Sequence, residues 1–548
     1  MCPTTEITAT GTSTKTATVT LTVPKYGKNI LWVRAVDSVG NLGNIASKEI
    51  TVGRPSPPVA QWGLETYPGQ NQTQALADAQ PTLGDTDGTG PLTANTPLTP
   101  TNVTWASDVR LIGGKTASFN GSYLSTSGPV IDTTKSFSVA AWVNLRDASK
   151  DRVVVAQLGE TRARFILYFS SSRGEWRFYI YDEDGISTAG VGAGGGPATV
   201  GKWTHLAGVY DATARKISLY VDGVLTGTSN YDWAWNATGP FIVGRTFVNG
   251  SNSASFMGEI ADVQVFDRVL VDHDFTGQLK SDPNSGGFDE PGILAPIEVG
   301  RWDMEAGVSC YSQDLENTCE APDGTGFNRW LALSRGSEIG AGYAGGLGLR
   351  LDGCYFPEEN PPPCEATLEY GWTGKTRVDE GPVVWQDKPV LRTDQSFTVS
   401  AWVKMDRTDR YQVVLAQDGS VNSGFYLYYA NDGDGVWKFK MLRDATTTDN
   451  TGTIAQASAP DAMASWHHLV GILDVGQRQL RLYVNGQRVA TQALMAEWQP
   501  WQANGPLTVG RAFGTSNLLH GAIDQVRVFQ GAMTDAQVKA LYDSQVVS

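Results

Sequence analysis

A long internal repeat is the feature that most constrains how this 548-residue chain can fold. The segment SFSVAAWV at Ser136 returns as SFTVSAWV at Ser396, and WTHLAGVYD at Trp203 returns as WHHLVGILD at Trp466. Five further segment pairs follow in the same order, and the offset between the copies stays between 260 and 266 residues. A repeat of this length and order indicates that one structural unit occurs twice.

Each copy is predicted to be all-β. Its segments are short, rich in Val, Ile, Phe, Tyr and Thr, and alternate apolar with polar residues, which is typical of half-buried strands. Tight-turn pairs separate them, as at Asp222-Gly223 and Asn485-Gly486. One helix is predicted near the end of the chain, with Thr534 as its N-cap and Gln537 three residues further on. Units of this size with this many strands favour a sandwich of two sheets.

The order of the motifs resembles that of laminin-G-like domains, which are concanavalin A-like jelly rolls. The resemblance rests on SFSVAAWV, W-x-H-L, the LYVDG and LYVNG hairpins, VGR, and a closing G-x-I-x-x-V-x-V-F followed by a short helix. It implies two jelly-roll β-sandwiches in tandem, at 54–282 and 298–548, joined by a linker at 283–297. Secreted actinobacterial multidomain proteins carry similar domains, and pentraxins share the same motif order.

The first 53 residues have a different pattern. ATVTLTV, NILWVRAVDSVGN and SKEITV predict three strands, and AVDSVGN resembles a late-strand turn of bacterial immunoglobulin-like or fibronectin-III-like domains. Three strands make half of such a domain, and an isolated half would leave an open sheet edge. We therefore expect that residues 1–53 are part of an Ig-like β-domain in a longer multidomain chain, or that this half packs on the first sandwich.

The cysteines point to an oxidising compartment. Four of the five lie within 55 residues, without a CxxC or a Cys/His zinc spacing. The simplest pairing is Cys310–Cys319 and Cys354–Cys364, and the two crossed pairings stay open. Such bridges persist outside the cell, which predicts a secreted protein. Cys2 is left over, and a partner lost beyond the sequence is favoured over a functional thiol.

The charge balance excludes two classes of partner. Lys and Arg number 42 against 57 Asp and Glu, which gives a net charge of −15, and no basic run occurs. Such a chain is a poor partner for nucleic acid or anionic lipid. No apolar stretch approaches the ~18 residues of a membrane span.

No catalytic motif is found in the sequence. The glucanases that this chain resembles carry E-x-D-x-E on one strand, and no match occurs. His205 and His468 recur two residues after a tryptophan in both copies, and we expect them to be structural, hydrogen-bonded histidines. The sequence therefore predicts that the chain is not an enzyme. The acids weighed and interpreted as solvated are Asp182, Glu183, Asp184, Glu259, Asp262, Glu358 and Glu359.

A metal site is only weakly indicated. The stretches after VGR begin with Arg245 and Arg511, where pentraxins carry calcium-binding acids, and this departure argues against the pentraxin calcium pair. Asp85 and Asp87 form a D-x-D-G sequence that lacks the closing glutamate of a calcium loop, which favours a polar turn. No cofactor is required, and a structural calcium ion in each domain is kept open.

The candidate ligand site is aromatic. Tyr231, Trp233 and Trp235 precede Gly239-Pro240 in the first copy, and Trp498 and Trp501 precede Gly505-Pro506 in the second. Flat aromatic faces beside amides and acids suit sugar rings, whose hydroxyls hydrogen-bond while their C–H faces stack. The alternative is that each tryptophan folds back and seals one end of its own sandwich.

Three functions are compared on this basis. The favoured one is a non-catalytic extracellular binding module for a glycan or a cell-surface or matrix component, within a larger secreted protein. In that case two like modules would give avidity on a polymeric ligand. The alternative is a structural or presentation segment of a large secreted toxin, adhesin or enzyme, and the least favoured is a glycoside hydrolase.

Overall fold

The computed structural model divides the chain into two units. One comprises Met1–Pro57 and His273–Ile293, and the other comprises Pro58–Asp272 and Leu294–Ser548. The second unit contains both copies of the repeat. The structure describes residues 7–11, 16–18, 27–52, 55–66, 97–107, 110–248, 251–277, 292–305, 309–310, 319–327, 329–334, 337–351, 369–376, 384–385, 389–446, 448, 450–459, 461–463 and 465–546.

An antiparallel hairpin is the main described element of the first unit. β1 (Gly27–Val36) pairs with β2 (Leu42–Val52). Most of its side chains are exposed, including 62% of Trp32. The hairpin contains the second and third of the three strands expected in residues 1–53, whereas most of ATVTLTV lies outside the described residues.

The first copy of the repeat is a sandwich of two antiparallel sheets. Sheet 1A has the strand order β16-β15-β14-β9-β20-β7-β4, with β3 beside β20 and β6 beside β7, and sheet 1B has the order β13-β12-β11-β10-β17-β8-β5. In chain order the strands are β3 (Ala60–Trp62), β4 (Glu65–Thr66), β5 (Thr99–Thr101), β6 (Thr104–Ser107), β7 (Lys115–Asn120), β8 (Tyr123–Ser125), β9 (Phe137–Leu145), β10 (Arg152–Leu158), β11 (Ala163–Ser170), β12 (Glu175–Tyr181), β13 (Gly190–Pro197), β14 (Trp203–Asp211), β15 (Lys216–Val221), β16 (Val224–Asn230), β17 (Phe241–Val243), β18 (Thr246–Val248), β19 (Ser251–Ser253) and β20 (Met257–Phe266). β18 and β19 form a separate two-stranded ribbon, and the short helix α1 (Asp272–Thr276) follows β20.

The second copy repeats this arrangement. Sheet 2A has the order β25-β26-β38-β29-β34-β35-β36 with β21 beside β38, and sheet 2B has the order β22-β23-β24-β27-β37-β30-β31-β32-β33 with β28 beside β27. In chain order the elements are β21 (Ile297–Trp302), β22 (Ser309–Cys310), β23 (Cys319–Ala321), β24 (Trp330–Leu333), β25 (Glu338–Ala341), a 3-10 turn (Tyr343–Gly345), β26 (Leu347–Leu351), β27 (Gly371–Thr376), β28 (Val384–Trp385), β29 (Phe397–Met405), β30 (Gln412–Asp418), β31 (Ser423–Ala430), β32 (Val436–Leu442), β33 (Gly452–Ser458), β34 (His467–Asp474), β35 (Gln479–Val484), β36 (Gln487–Ala493), β37 (Leu507–Val509), a second 3-10 turn (Phe513–Thr515), β38 (Gly521–Gln530) and α2 (Asp535–Gln545).

Side-chain alternation places the core between the two sheets of each sandwich. In β12, Trp176, Phe178 and Ile180 are buried while the residues between them are half-buried. Gly208 of β14 faces this layer, and a Cβ there would lie 2.3 Å from the ring of Phe178. In the second sandwich, a Cβ on Gly471 would lie 2.3 Å from the ring of Phe439. The duplication therefore extends to the packing of the core.

Both predicted local motifs are confirmed. Asp222-Gly223 and Asn485-Gly486 have positive φ at both positions, as a two-residue hairpin turn requires. The Thr534 hydroxyl accepts from the Gln537 N–H, and the Gln537 side chain accepts from the Thr534 N–H, so α2 begins with a capping box.

The repeat also includes a strand that sequence comparison missed. VAQWGLE at Val59 matches VGRWDME at Val299, and β3 and β21 both pair with the closing strand of their sandwich, β20 and β38. Trp62 and Trp302 are fully buried there.

The two sandwiches also touch. Leu111 packs into the core of the second sandwich, and the Arg329 guanidinium donates to the Ile112 carbonyl.

Candidate functional site

The aromatic segments predicted as ligand sites are held at equivalent places in the two sandwiches. The first runs from β16 to β17 and the second from β36 to β37. A threonine fixes each one. The Thr133 hydroxyl donates to the Trp235 carbonyl at 3.1 Å, and that of Thr393 donates to the Trp501 carbonyl at 3.0 Å. The same two hydroxyls accept from the N–H groups of Ala237 and Ala503.

The side chain of a buried glutamine links each segment to the rest of its sandwich by hydrogen bonds. The Gln417 amide donates to the carbonyls of Leu391 and Ala503, both at 2.8 Å, and its oxygen accepts from the Val390 and Leu391 N–H groups. Gln157 makes the corresponding bonds in the first sandwich. Fully bonded buried polar groups of this kind fix one geometry. Both segments are therefore rigid parts of the fold.

One tryptophan in each segment uses its indole N–H to dock on the sandwich. Trp235 Nε1 donates to the Tyr181 carbonyl at 2.9 Å, and Trp501 Nε1 donates to the Leu442 carbonyl at 3.2 Å. Both indoles are half-buried. Thus Trp235 and Trp501 in part follow the alternative expectation, that these residues fold back onto their own sandwich.

The remaining aromatic residues of the two segments differ in how deeply they are buried. Trp498 is fully buried in the core of the second sandwich, and Tyr231 is buried against Arg164, whose guanidinium donates to its hydroxyl. Trp233, by contrast, is 54% exposed, although the Arg164 Nη2 holds its carbonyl at 3.1 Å. A buried ring cannot offer its face to a ligand, which removes Tyr231 and Trp498 from the predicted ligand residues, whereas Trp233, Trp235 and Trp501 stay a prediction.

The outer face of sheet 1B next to this segment is also aromatic. Tyr168, Tyr179 and Tyr181 are half-buried on it. Burial raises the pKa of Tyr181 to about 12, so its hydroxyl stays protonated and can donate. This aromatic face is not among the predicted ligand residues, although the alternation in RFILYF and EWRFYIY indicates it.

The recurring histidines are structural. His205 and His468 are fully buried, and their rings lie 5.3 and 5.2 Å from those of Trp142 and Trp402. His468 Nε2 is 2.8 Å from the Ser400 hydroxyl. Burial lowers the pKa of each imidazole to about 3, so both are neutral at physiological pH.

Three of the acids weighed as catalytic candidates, Asp184, Asp262 and Glu259, have structural partners. Asp184 accepts the backbone N–H groups of the turn at Glu160, Thr161 and Arg162. Asp262 accepts from the amides of Gln61 and Gln264. The expectation that Glu259 is solvated is wrong. It is buried and paired with Arg146, because its position on β20 faces covered surface.

The proposed metal and disulfide residues lie mostly outside the described residues, as is true of Asp85, Asp87, Cys2, Cys354, Cys364 and the acids at 358–359. Among the residues that are described, no group of three or more His, Cys, Asp or Glu side chains could hold a metal ion. Cys310 stands opposite Cys319 in the β22–β23 ladder. Their disulfide, like the Cys354–Cys364 pair and a structural calcium, stays a prediction.

The strand order and the duplication define a tandem jelly-roll protein. The sequence profile Laminin_G_3, described as the concanavalin A-like lectin/glucanases superfamily, matches residues 118–274 and 379–539, which is more than half of the chain. The chain belongs to this family, and its predicted all-β tandem architecture is confirmed. A search of curated proteins finds no match.

Solved structures of similar fold share little sequence with the chain. Domains LG4-5 of the mouse laminin α1 chain are 13% identical, covering 75% of this chain and 86% of their own, with a TM-score of 0.21. Domain 4 of AbnA, a GH43 extracellular arabinanase from Geobacillus stearothermophilus in complex with arabinotriose, is 16% identical, covering 45% and 98%, with a TM-score of 0.28. A heptameric SAP-like pentraxin from Limulus polyphemus is 17% identical, covering 29% and 77%, with a TM-score of 0.25.

None of the helices in the described ranges is long and apolar enough to cross a bilayer.

Proposed function

We propose that the chain is a non-catalytic carbohydrate-binding part of a larger secreted protein, and that its first sandwich binds the sugar on Trp233. The observation that carries the proposal is an indole exposed to 54% on a segment that is otherwise rigidly bonded. An aromatic side chain held on a fixed support offers a flat face on which a sugar ring can stack. Membership of a family that includes lectins supports the same class of function.

The polar groups around Trp233 suit a sugar. Asp232 is exposed next to it, and its carboxylate lies 3.6 Å from Arg215, so both acceptors and donors flank the ring. A saccharide needs an aromatic face for its C–H groups and hydrogen-bonding partners for its hydroxyls. Three of the acids weighed as candidates for hydrolysis, Asp184, Asp262 and Glu259, are engaged in hydrogen bonds or an ion pair, which favours binding over catalysis.

Binding of the whole chain to a panel of polysaccharides tests the proposal. We expect Trp233→Ala to weaken binding at least about tenfold, which corresponds to about 1.4 kcal/mol. Gln499→Ala is the matched control, because Gln499 occupies the corresponding place two residues before Trp501, and it should leave affinity unchanged. Binding that survives Trp233→Ala would contradict the site. A chain that binds no glycan would favour the presentation segment, and released sugar would favour a hydrolase.

A further inference from the structure

A cavity of about 350 Å³ lies in the first sandwich, between the turn that joins β10 to β11 and the strands β8, β17 and β18. The Leu158 N–H in its wall donates to the Pro240 carbonyl at 3.0 Å, and the Gly239 N–H donates to the Leu158 carbonyl at 2.7 Å. Gly239 and Pro240 end the segment that carries Trp233. This segment therefore forms part of the cavity wall.

The wall combines apolar surface with a polar group that faces solvent. The rings of Tyr123 and Phe247 meet edge to face there, with their centroids 5.9 Å apart. Leu158 and Ile242 extend the apolar surface, and Glu160 lines the cavity while it is itself exposed. A sugar ring needs this combination, because its C–H groups pack on apolar surface while its hydroxyls form hydrogen bonds.

Hydrogen bonds and a stacked cation fix the wall of the cavity. The Asp184 carboxylate accepts from three backbone N–H groups of the β10–β11 turn, at residues 160–162. The guanidinium of Arg245 lies 3.7 Å from the centre of the Tyr123 ring, which holds that ring in place. A site whose walls are already ordered loses little conformational entropy when a ligand binds.

Ser125 lines this cavity at a position where the second sandwich has a tryptophan. Ser125 stands opposite Ile242 in the β8–β17 ladder. Trp372 stands opposite Thr508 in the corresponding β27–β37 ladder, and Ile242 and Thr508 match in the aligned segments GPFIVGR and GPLTVGR. The tyrosine two residues before this position is common to both copies, and in the second copy its ring lies 5.3 Å from that of Trp372. Beside that tyrosine, the second sandwich thus has an indole where the first has a small hydroxyl side chain.

A second exchange also separates the two copies at this place. Leu158 ends β10, and Asp418 ends β30 at the aligned position. Asp418 is buried, and its carboxylate lies 2.9 Å from the guanidinium of Arg511. The leucine leaves the corresponding wall of the first sandwich without a charge. Both exchanges therefore make the first sandwich the better host for an uncharged ring.

Tyr181 connects the cavity to Trp233. Its ring lies 4.4 Å from the guanidinium of Arg162, which lines the cavity. Its carbonyl accepts from the Trp235 indole N–H at 2.9 Å and from Arg164 Nη1 at 2.7 Å. Arg164 Nη2 donates to the Trp233 carbonyl at 3.1 Å. The exposed indole and the cavity are therefore neighbouring parts of one surface.

We propose that this cavity binds one ring of a neutral sugar chain while another ring of the same chain stacks on Trp233. The inference rests on the proposed function and names its substrate class, an uncharged oligosaccharide. Glu160 accepts from the hydroxyls of the ring in the cavity, and its negative charge disfavours the carboxylates of acidic sugars. A cavity of about 350 Å³ is at the small end of ligand sites and suits a single ring.

The test compares monosaccharides with hexasaccharides by titration calorimetry of the whole chain. The probes are galactose, xylose, glucose, mannose and arabinose, each with its linear hexasaccharide. A hexasaccharide that binds should do so at least about tenfold more tightly than its monosaccharide, because it reaches both Trp233 and the cavity. Ser125→Trp installs the residue of the second sandwich and should reduce the hexasaccharide affinity to that of the monosaccharide. Ser125→Ala keeps the cavity open and is the matched control, which should bind both sugars as the unaltered chain does.

Glu160→Ala is a second variant, needed if the melting temperature shows that Ser125→Trp does not fold. Glu160 is exposed in a turn, so its removal leaves the core intact. It should weaken hexasaccharide binding at least about threefold, the effect of one lost hydrogen bond, and leave monosaccharide binding unchanged. A preference for the hexasaccharide that survives both variants would overturn the cavity site.

The other outcomes separate this inference from the proposed function. Equal affinity for monosaccharide and hexasaccharide, lost in Trp233→Ala, would overturn the cavity site and keep the carbohydrate-binding function. Binding confined to acidic or sulfated polysaccharides, or tighter binding of hexagalacturonate than of the galactose hexasaccharide, would overturn the neutral class. Binding of no saccharide at all would overturn both proposals.

Discussion

The indole of Trp235 donates its N–H to the carbonyl of Tyr181 at 2.9 Å, and Trp501 repeats this bond to Leu442 in the second sandwich. This hydrogen bond is thus common to both copies. The two segments differ in the burial of their other tryptophan. Trp233 faces solvent, whereas Trp498 is part of the core.

Removal of the buried Trp498 should cost far more stability than removal of the exposed Trp233. Trp498→Ala leaves a large cavity in the core and should lower the free energy of unfolding by about 3–5 kcal/mol. Trp233→Ala removes a mostly exposed ring and should change it by less than about 0.5 kcal/mol. Chemical denaturation of the whole chain measures both. Equal losses for the two variants would contradict the assignment of one indole to the core and one to the surface.

The buried glutamines should be as important as core residues. Gln417→Leu removes the acceptor of the Val390 and Leu391 N–H groups, and each orphaned buried group costs about 1–3 kcal/mol. The Leu391 and Ala503 carbonyls keep the Gln502 amide as a donor. We expect a loss of at least about 2 kcal/mol for Gln417→Leu and for Gln157→Leu. The exposed Gln477→Leu should have almost no effect in the same denaturation experiment. A neutral effect of Gln417→Leu would show that the segment is held in another way.

Acid should destabilise the protein through its buried histidines. The pKa of His468 is about 3 in the folded state, against an ordinary value of 6.5, so below pH 6.5 the unfolded chain takes up a proton that the folded one does not. Stability is therefore complete above pH 6.5 and falls as pH decreases, by up to about 1.4 kcal/mol per pH unit for this group.

Urea denaturation of His468→Gln between pH 6.5 and 4.5 tests this dependence. The variant should lose less stability over that interval than the unaltered chain, whatever its stability at pH 7. His273→Gln replaces an exposed histidine and should keep the original slope. Identical slopes for all three proteins would mean that His468 titrates normally in the folded state.

The sequence predicts most of the fold because the duplicated motifs lie on the strands of the two sheets. The pair at Val59 and Val299 was missed because its offset is 240 residues, outside the range of the other segments. Different insertions separate these strands from the rest of each copy, so a search at constant offset does not find them. Strand alternation also cannot show that β3 and β21 return to pair with the closing strands.

The site is less predictable from sequence than the fold. Composition alone makes the two tryptophan segments equivalent, yet Trp-Ala-Trp and Trp-Gln-Pro-Trp differ by one residue in spacing. That one residue lets Trp498 enter the core while Trp501 keeps the docking position. The exchange of Asp418 for Leu158 is readable in the aligned repeat. The ion pair that Asp418 forms with Arg511 in the second sandwich is seen only in the structure.

The most direct test of the account is the number of sugar sites per chain. Titration calorimetry of the whole chain, with a short oligosaccharide that the polysaccharide panel identifies as bound, measures it. Because Trp233 is the only exposed indole among the described residues of the two tryptophan segments, we expect one site per chain, retained in Gln499→Ala and lost in Trp233→Ala. Two equivalent sites per chain, or one that persists without Trp233, would contradict the account.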